Sequence, residues 1–396
     1  MTKKHKKQGF QFAASTCGFK RTKRTDLALI YSSIPCTYAG VFTKNQVRAA
    51  CVDENRELLG KKKKIKAIVI NSGNANACTG KEGINAVKKT QLIASKLLNI
   101  LPDEVLVAST GVIGVPLDMR KMELGLKSAA CNLSPDNKNI KEAARAILTT
   151  DRFEKIIAEK NNGFNLTGFA KGAGMIHPNM ATMLCYFFTD LAMSQKLLQE
   201  ILECVVNDTF NTISVDGDMS TNDMVILLSD NTSKRKIVSK KNPLYGLFKK
   251  ALYRACYKLS KEIVLDGEGA NKLINIQVIG AKTVVDAKEI ARSVSSSTLF
   301  KCAVFGSDPN WGRAAARIGA TSVKVNQDKI DIYFNNTQVL KNGNPTKFNK
   351  DRLMREIKAS TEVLVKINLK SGNKSAEAFG CDLSLDYVKF NSGYFT

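Results

Sequence analysis

The stretch Lys171-Gly172-Ala173-Gly174-Met175-Ile176-His177-Pro178-Asn179-Met180-Ala181-Thr182-Met183-Leu184 decides how the rest of the chain is read. Its glycines allow a positive φ or a close approach of backbone to a ligand. Pro178 fixes its own φ and removes one backbone donor. From Met183 to Phe188 the residues are almost all apolar, which predicts a buried strand. Thr182 therefore falls where a tight loop becomes a core strand, a rigid place to hold a nucleophile. Taken by itself, the stretch is first a glycine turn leading into a strand, with Thr182 present for its β propensity.

Working outward, the chain alternates strand-like and helix-like segments. Phe10 to Cys17, Leu27 to Ser32 and Cys36 to Phe42 read as strands, and residues 8 to 60 as strands and turns. Lys66 to Asn71 is a buried strand ending in Ser72-Gly73-Asn74-Ala75-Asn76-Ala77, followed by a helix over 83–98. This resembles a phosphate loop, but Gly73 to Gly80 is too long for the P-loop spacing and Glu82 replaces the required hydroxyl. A nucleoside triphosphate site is rejected. Val105 to Ala108 is a short strand running into Ser109-Thr110-Gly111-Val112-Ile113-Gly114. A threonine and a glycine at a strand end can aim a hydroxyl and an N–H at one point, as an oxyanion hole requires; a plain turn is the alternative.

Helices are expected over 119–131, 136–148, 194–207, 244–264 and 286–301, with strands at 224–228 and 272–280. The segment 320–396 reads as mainly strands with one helix near 349–358. The alternation argues for an α/β layered protein.

Composition narrows the chemistry. The 396 residues suffice for two domains or one large one. A net charge of +24 arises from 60 Lys and Arg against 36 Asp and Glu, with lysine tracts at 3–7, 61–64 and 234–241. The lysines are spread along the chain without aromatic interleaving, so a solvated basic surface is favoured over nucleic-acid binding. Ten cysteines contain no C-x-x-C pair, which suits free thiols in a reducing compartment, and a cytoplasmic location is expected. No apolar h-region follows the basic N-terminus and no run of eighteen apolar residues occurs, so neither a signal peptide nor a transmembrane helix is expected. With only His5 and His177, a His-ligated metal site is hard to build; no metal is expected. A Ser-His-Asp triad would have to use His177, and the G-x-S-x-G elbow is missing.

Several loops together resemble the ArgJ family of glutamate N-acetyltransferases and ornithine acetyltransferases. They are 71–76, 109–114, 171–184, 216–223, 266–270, Asp308-Pro309-Asn310-Trp311-Gly312-Arg313 and Gly380-Cys381-Asp382-Leu383, in the family's order over nearly the whole chain. The resemblance implies a self-cleaving threonine enzyme. Cleavage between Ala181 and Thr182 would leave an α chain of 1–181 and a β chain of 182–396. Residues 182–280 would complete the shared core, and 281–396 would form a smaller C-terminal domain. The implied fold is a two-domain αββα-type sandwich, distinct in topology from ordinary Ntn-hydrolases, assembled as two α and two β chains.

The resemblance also assigns roles. Thr182 is the nucleophile, and Thr110 and Gly111 form the oxyanion hole. Thr149, Lys171, Thr182, Glu268, Asn391 and Thr396 contact substrate, with Thr149 favoured over the adjacent Thr150. After cleavage the α-amino group of Thr182, with a pKa of about 7.7–8.0, can serve as base for its own hydroxyl, so a chain poor in histidine can transfer acyl groups. The implied reaction moves acetyl from N2-acetylornithine to glutamate in the acetyl cycle of arginine biosynthesis. No cofactor is expected, although some members accept acetyl-CoA. A self-processing aminopeptidase of related fold is the alternative within the enzyme class, and a basic nucleic-acid-binding protein is the alternative outside it.

Overall fold

The computed structural model describes residues 9–161, 163–177 and 183–393. A first sheet runs through β1 (Phe10–Ser15), β2 (Leu27–Phe42), β3 (Ile65–Asn74), β4 (Val105–Val112), β5 (Lys155–Asn161), β6 (Phe164–Lys171), β7 (Leu184–Thr189) and β10 (Met224–Ser229), in the order β4-β3-β2-β10-β7-β6-β5 with β1 paired to β2. A two-stranded ladder joins β8 (Ala192–Met193) to β11 (Lys236–Ile237). The second large sheet holds β9 (Ile213–Ser214), β12 (Leu273–Ala281), β13 (Asp331–Phe334), β14 (Thr337–Lys341), β15 (Asn344–Pro345), β16 (Glu362–Asn368) and β17 (Lys374–Cys381).

The 16-residue β2 makes the first sheet into a sandwich. Sequence reading breaks this region at Ser32 to Pro35, and the structure carries one strand through it. The first half of β2 pairs with β1 and β3; the second half pairs with β10. Register shifts between Tyr31 and Cys36, where Pro35, which has no N–H to give a ladder, is exposed. One strand thus belongs to two facing layers.

Alternation of side chains then fills three apolar layers. Leu27, Leu29, Ala67, Val69 and Val105 face helices α2 (Gly80–Leu98) and α3 (Met119–Cys131). Their neighbours Ala28, Ile30, Ile68, Ile70 and Leu106 face inward, against Phe169, Leu184, Tyr186, Phe188, Ile226 and Leu228 of the opposite layer. On the far side, Cys185, Phe187, Val225 and Leu227 pack against α5 (Gln195–Asn207) and α6 (Pro243–Leu265). The succession is helix, sheet, sheet, helix, the αββα arrangement expected. Phe12, Phe169 and Phe188 meet at ring-centroid distances of 5.2–6.4 Å in the central layer. Each such buried aromatic contributes about 1.5–3 kcal/mol from burial.

Helix α1 (Ala50–Gly60) lies where sequence reading expects strands and turns; it buries Cys51, Val52, Asn55 and Leu58. Asn55 both donates to Val107 O (2.9 Å) and accepts from Val107 N (3.2 Å), tying α1 to β4 through a buried amide. Helix α4 (Asn137–Ala146) packs on β1 and β2. In the C-terminal part, α7 (Val284–Ser295), α8 (Thr298–Phe305), α9 (Trp311–Gly319) and α10 (Lys350–Ala359) cover one face of the second sheet. The single helix expected over 286–301 is divided at Ser296 and Ser297, where the Ser297 hydroxyl caps a new helix by accepting from Phe300 N. The last element is α11 (Leu385–Gly393). Among the described residues, no helix is long and apolar enough to cross a membrane.

Candidate active site

Strands β3 and β4 end side by side, with Ser72 opposite Thr110 and Gly73 opposite Gly111. Gly111 has φ +134°, and a Cβ there would stand 2.4 Å from the Gly73 carbonyl carbon. Only glycine fits this crossing of two backbones. The neighbouring asparagines serve the loop: Asn71 donates to Asn74 O (2.8 Å) and accepts from the Ser109 hydroxyl (2.7 Å). Asn74 donates to Val115 O, and Asn222 donates to Ala75 O (2.6 Å) and Ser109 O (2.8 Å). The strand ends carrying Thr110 and Gly111 are held from three directions.

Lys171 closes β6, in the layer facing β4, and its ammonium reaches the Thr110 hydroxyl at 3.4 Å. Burial lowers the pKa of Lys171 from its ordinary value, while Asp151, Glu268 and Asp223 act in the other direction. The segment after it is clamped at each end. Gly172 N donates to Asp151 (2.6 Å), and Met175 N and Ile176 N donate to the Asp216 carboxylate (2.6 and 2.8 Å). Ile176 O accepts from Val215 N, and on the other side of the junction Met183 O accepts from Met224 N. Burial raises the pKa of Asp216, against its backbone N–H donors.

Asp151 is the hub beneath these loops. Its carboxylate accepts from Gly172 N, Thr149 N and the ammonium of Lys155, which also meets Asp266 at 2.5 Å. Burial would raise the Asp151 pKa, but Lys171, Lys155 and the Gly172 N–H outweigh it and hold the group at about 2. Asp266 receives Arg152 as well, fixing the turn that carries Glu268. Glu268 N donates to Ala173 O, and its carboxylate accepts from Asn391 Nδ2 of α11 at 3.0 Å.

These parts enclose a cavity of about 170 Å³. It brings together the expected residues Thr110, Gly111, Thr149, Lys171, Glu268 and Asn391; Thr150 lines it beside Thr149. Ala181, Thr182 and Thr396 lie outside the described residues. Both flanks of the Ala181–Thr182 junction contribute to the wall, Gly174 and Met175 before it and Met183 and Leu184 after it.

Sequence reading assigns no role to Asp151, Lys155, Asp216 or Tyr387, of which Asp216 and Tyr387 line the cavity and the other two support it; the segment 220–223, read as a cap or a pocket lining, does line it, Asn222 included. Asp151 adjoins the noted pair of threonines and Asp216 opens a family motif, but their partners are distant in sequence. His177 does not line the cavity. The guanidinium of Arg292 can only donate to its Nε2 (3.3 Å), so Nδ1 carries the proton toward the Ser214 hydroxyl (3.0 Å). Burial, with Arg292 beside it, lowers His177 to about 4. The motif around Trp311 caps α9 through Asn310, and Asp382 accepts from Asn271 N and Lys272 N; neither borders the cavity. The described residues contain no group of His, Cys, Asp and Glu suited to a metal ion.

Residues 11–396 match the model of the ArgJ family. The chain is 44% identical to the arginine biosynthesis bifunctional protein ArgJ of Caldanaerobacter subterraneus subsp. tengcongensis, covering 98% of this chain and 97% of that one. It is 42% identical to a glutamate N-acetyltransferase of Methanopyrus kandleri, covering 96% and 97%. The crystal structure of the ArgJ protein of Bacillus halodurans matches with a TM-score of 0.50 and 40% identity, over 52% of this chain and 96% of the solved chain.

Proposed function

The chain belongs to the ArgJ family, and from that membership we propose that it is a glutamate N-acetyltransferase of the ornithine acetyltransferase type, working in arginine biosynthesis through a threonine nucleophile made by self-cleavage. The observation that carries this reading is the cavity walled by both flanks of the Ala181–Thr182 junction together with Thr110, Gly111, Lys171 and Glu268.

In the first stage the Thr182 hydroxyl oxygen attacks the Ala181 carbonyl and displaces the peptide nitrogen. That displacement frees the Thr182 α-amino group, and water then hydrolyses the resulting ester, releasing the Ala181 carboxylate and restoring the Thr182 hydroxyl. The products are chains of 1–181 and 182–396. Strand β6 of the first chain pairs with β7 of the second, and β10 of the second pairs with β2 of the first, which supports their staying together. The Bacillus halodurans chain, itself matched over 96% of its length, spans only 52% of this one, as a processed fragment would. Strands β7 and β10 of the second chain complete the core; the smaller C-terminal unit begins earlier than the expected 281, because β12 (Leu273–Ala281) lies between β16 and β17 in the second sheet; and two copies of each chain form the assembly.

In the second stage the Thr182 amine takes the hydroxyl proton as the oxygen attacks the acetyl carbon of N2-acetylornithine. Ornithine leaves with a proton, and the glutamate amine then takes the acetyl group from the ester. Thr110 and the Gly111 N–H stabilise the oxyanion of each tetrahedral intermediate. Lys171 meets the substrate carboxylate, an anion that offsets the burial of its ammonium, and Glu268 meets the substrate ammonium group. Thr149, Asn391 and Thr396 hold the remaining polar groups.

The test is incubation of the purified protein with N2-acetylornithine and glutamate. N-acetylglutamate and ornithine should appear in equal amounts. Acetate and ornithine without N-acetylglutamate would mean hydrolysis in place of transfer.

A further inference from the structure

Two side chains of opposite charge have to enter one cavity. Its wall carries the carboxylates of Asp216, Asp218, Asp223 and Glu268, and among the described residues Lys171 is the one cation that lines it. In N2-acetylornithine the α-nitrogen is acylated, so the cation left for Glu268 is the side-chain ammonium. Glutamate follows into the same site, with its α-carboxylate on Lys171 and its α-amine facing the acyl ester. Ornithine carries its nitrogen on Cδ, and glutamate carries its carboxylate oxygens on the same carbon. An anion therefore comes to lie where the ammonium lay, beside Glu268. Like charges repel there, and a neutral hydrogen-bond donor is needed to offset the repulsion.

Several donors of the wall are already committed. Asn391 gives one amide hydrogen to Glu268 (3.0 Å) and the other to the backbone oxygen of Tyr387 (3.1 Å). Asn222 gives both of its amide hydrogens to Ala75 O and Ser109 O, and Thr221 gives its hydroxyl proton to Asn222 (2.6 Å). Tyr387 differs: it lines the cavity, and among the described residues its phenol hydroxyl forms no hydrogen bond. Burial, then the charges of Asp216, Glu268 and Asp218, push its pKa up, so it stays protonated. Its position is set by backbone. Gly269, at φ +69°, lies so close to α11 that a Cβ there would stand 2.4 Å from Tyr387 N. On the other side of the turn, a Cβ on Gly174 would stand 2.4 Å from the Glu268 carboxylate. The two glycines let the Glu268 turn sit between α11 and the segment after Lys171.

We propose that the Tyr387 hydroxyl determines which side chains the cavity accepts, donating to the side-chain carboxylate of glutamate and turning to accept from the side-chain ammonium of ornithine. The proposal rests on the acetyltransferase reading above and adds the residue that lets one acid-walled cavity take both substrates. A phenol O–H can play either part, because it is donor and acceptor at once. Its contribution is larger for glutamate. The ornithine ammonium also has Glu268 as a partner, whereas the glutamate carboxylate is repelled by it.

The experiment compares Tyr387→Phe with the parent in two assays that share the proposed acetyl-enzyme. Exchange follows isotopically labelled ornithine into N2-acetylornithine, and transfer follows N-acetylglutamate. Tyr387 is half-buried and the substitution removes only the hydroxyl oxygen, so the variant should fold, which circular dichroism and thermal unfolding verify. kcat/KM for glutamate should fall by about ten- to a hundredfold, the loss of one hydrogen bond to a charged group. Exchange should fall by less, so the ratio of the two should shift toward ornithine by about tenfold. A ratio within about twofold of the parent's overturns the proposal, whether both rates fall together, as a structural role requires, or neither changes. A shift toward glutamate overturns it too. In each of these cases a parent that performs both reactions leaves the acetyltransferase reading standing. A parent that exchanges ornithine but makes no N-acetylglutamate overturns the proposal together with glutamate as acceptor, and a parent that does neither overturns the acetyltransferase reading itself.

Discussion

Lys171 Nζ lies 3.4 Å from the Thr110 hydroxyl, although the two residues come from opposite sheets of the sandwich and are 61 positions apart. The contact joins the buried cation proposed to meet the substrate carboxylate to a hydroxyl at the strand end proposed for the oxyanion. With Lys171 donating, the Thr110 proton is left to point into the cavity. Thr110→Ala should slow both self-cleavage and acetyl transfer, by about 10²–10³ for loss of one oxyanion donor. The check is single-turnover kinetics on folded protein. Unchanged rates would remove Thr110 from the site.

Purified protein should run as two fragments under denaturing conditions, the second beginning at Thr182. Thr182→Ala should remain one chain. With acetylornithine and no glutamate, the mass of the C-terminal fragment should rise by one acetyl group located on Thr182. Intact-mass and peptide mapping decide this; cleavage at the same bond in the variant, or acetyl mapped to a cysteine or lysine, would overturn the mechanism.

Asp151 gives a pH signature. Its folded pKa of about 2 is below the ordinary 3.8. The ionised carboxylate therefore adds stability that is full above the unfolded pKa and is lost as pH falls from about 4 through the folded value. That interval corresponds to about 2 kcal/mol. Asp151→Asn should be less stable near neutral pH, because Lys155 and Lys171 lose a buried counter-charge, and its stability should change less between about pH 4 and 2. Urea unfolding across pH measures both. An unaltered acid limb in the variant would show that another carboxylate is responsible.

The loops that line the cavity are legible because each sits at a strand end marked by glycine and a polar cluster, as at Ser109 to Gly114 and Lys171 to Gly174. The apolar run after Ala181 also announced β7 correctly. What escaped was tertiary. Strands β5 and β6 have no reading from sequence, since Lys155 is a buried cation whose charge is met by Asp151 and Asp266, and Asp266 is 111 residues away. Helix α1 was missed because its buried positions are few and include Asn55, whose amide is paid for by Val107 of β4. The partnership of Asn391 with Glu268 was likewise invisible without the fold, although the family resemblance named both residues.

That partnership carries the last prediction. Chain ends are usually dispensable, but α11 sets Asn391 Nδ2 3.0 Å from Glu268 Oε2, and both residues line the cavity. Tyr387, on the same helix, lines it too. Ser384 anchors the start of the helix by donating to Gly269 O and accepting from Tyr387 N. The helix is thus tied to the turn that bears Glu268. In the proposed mechanism self-cleavage draws on the loop from Lys171 to Thr182 and the oxyanion donors; among the described residues, Asn391 donates to Glu268 and to Tyr387 O of its own helix. Asn391→Ala should therefore leave cleavage intact and lower kcat/KM for acetyl transfer by about tenfold, the cost of one hydrogen bond to a charged group. Deleting 391–396, which also removes Thr396, should lower it further. The measurement pairs a gel assay of processing with steady-state transfer rates. Full transfer activity in a processed, folded deletion variant would take the C-terminus out of the site.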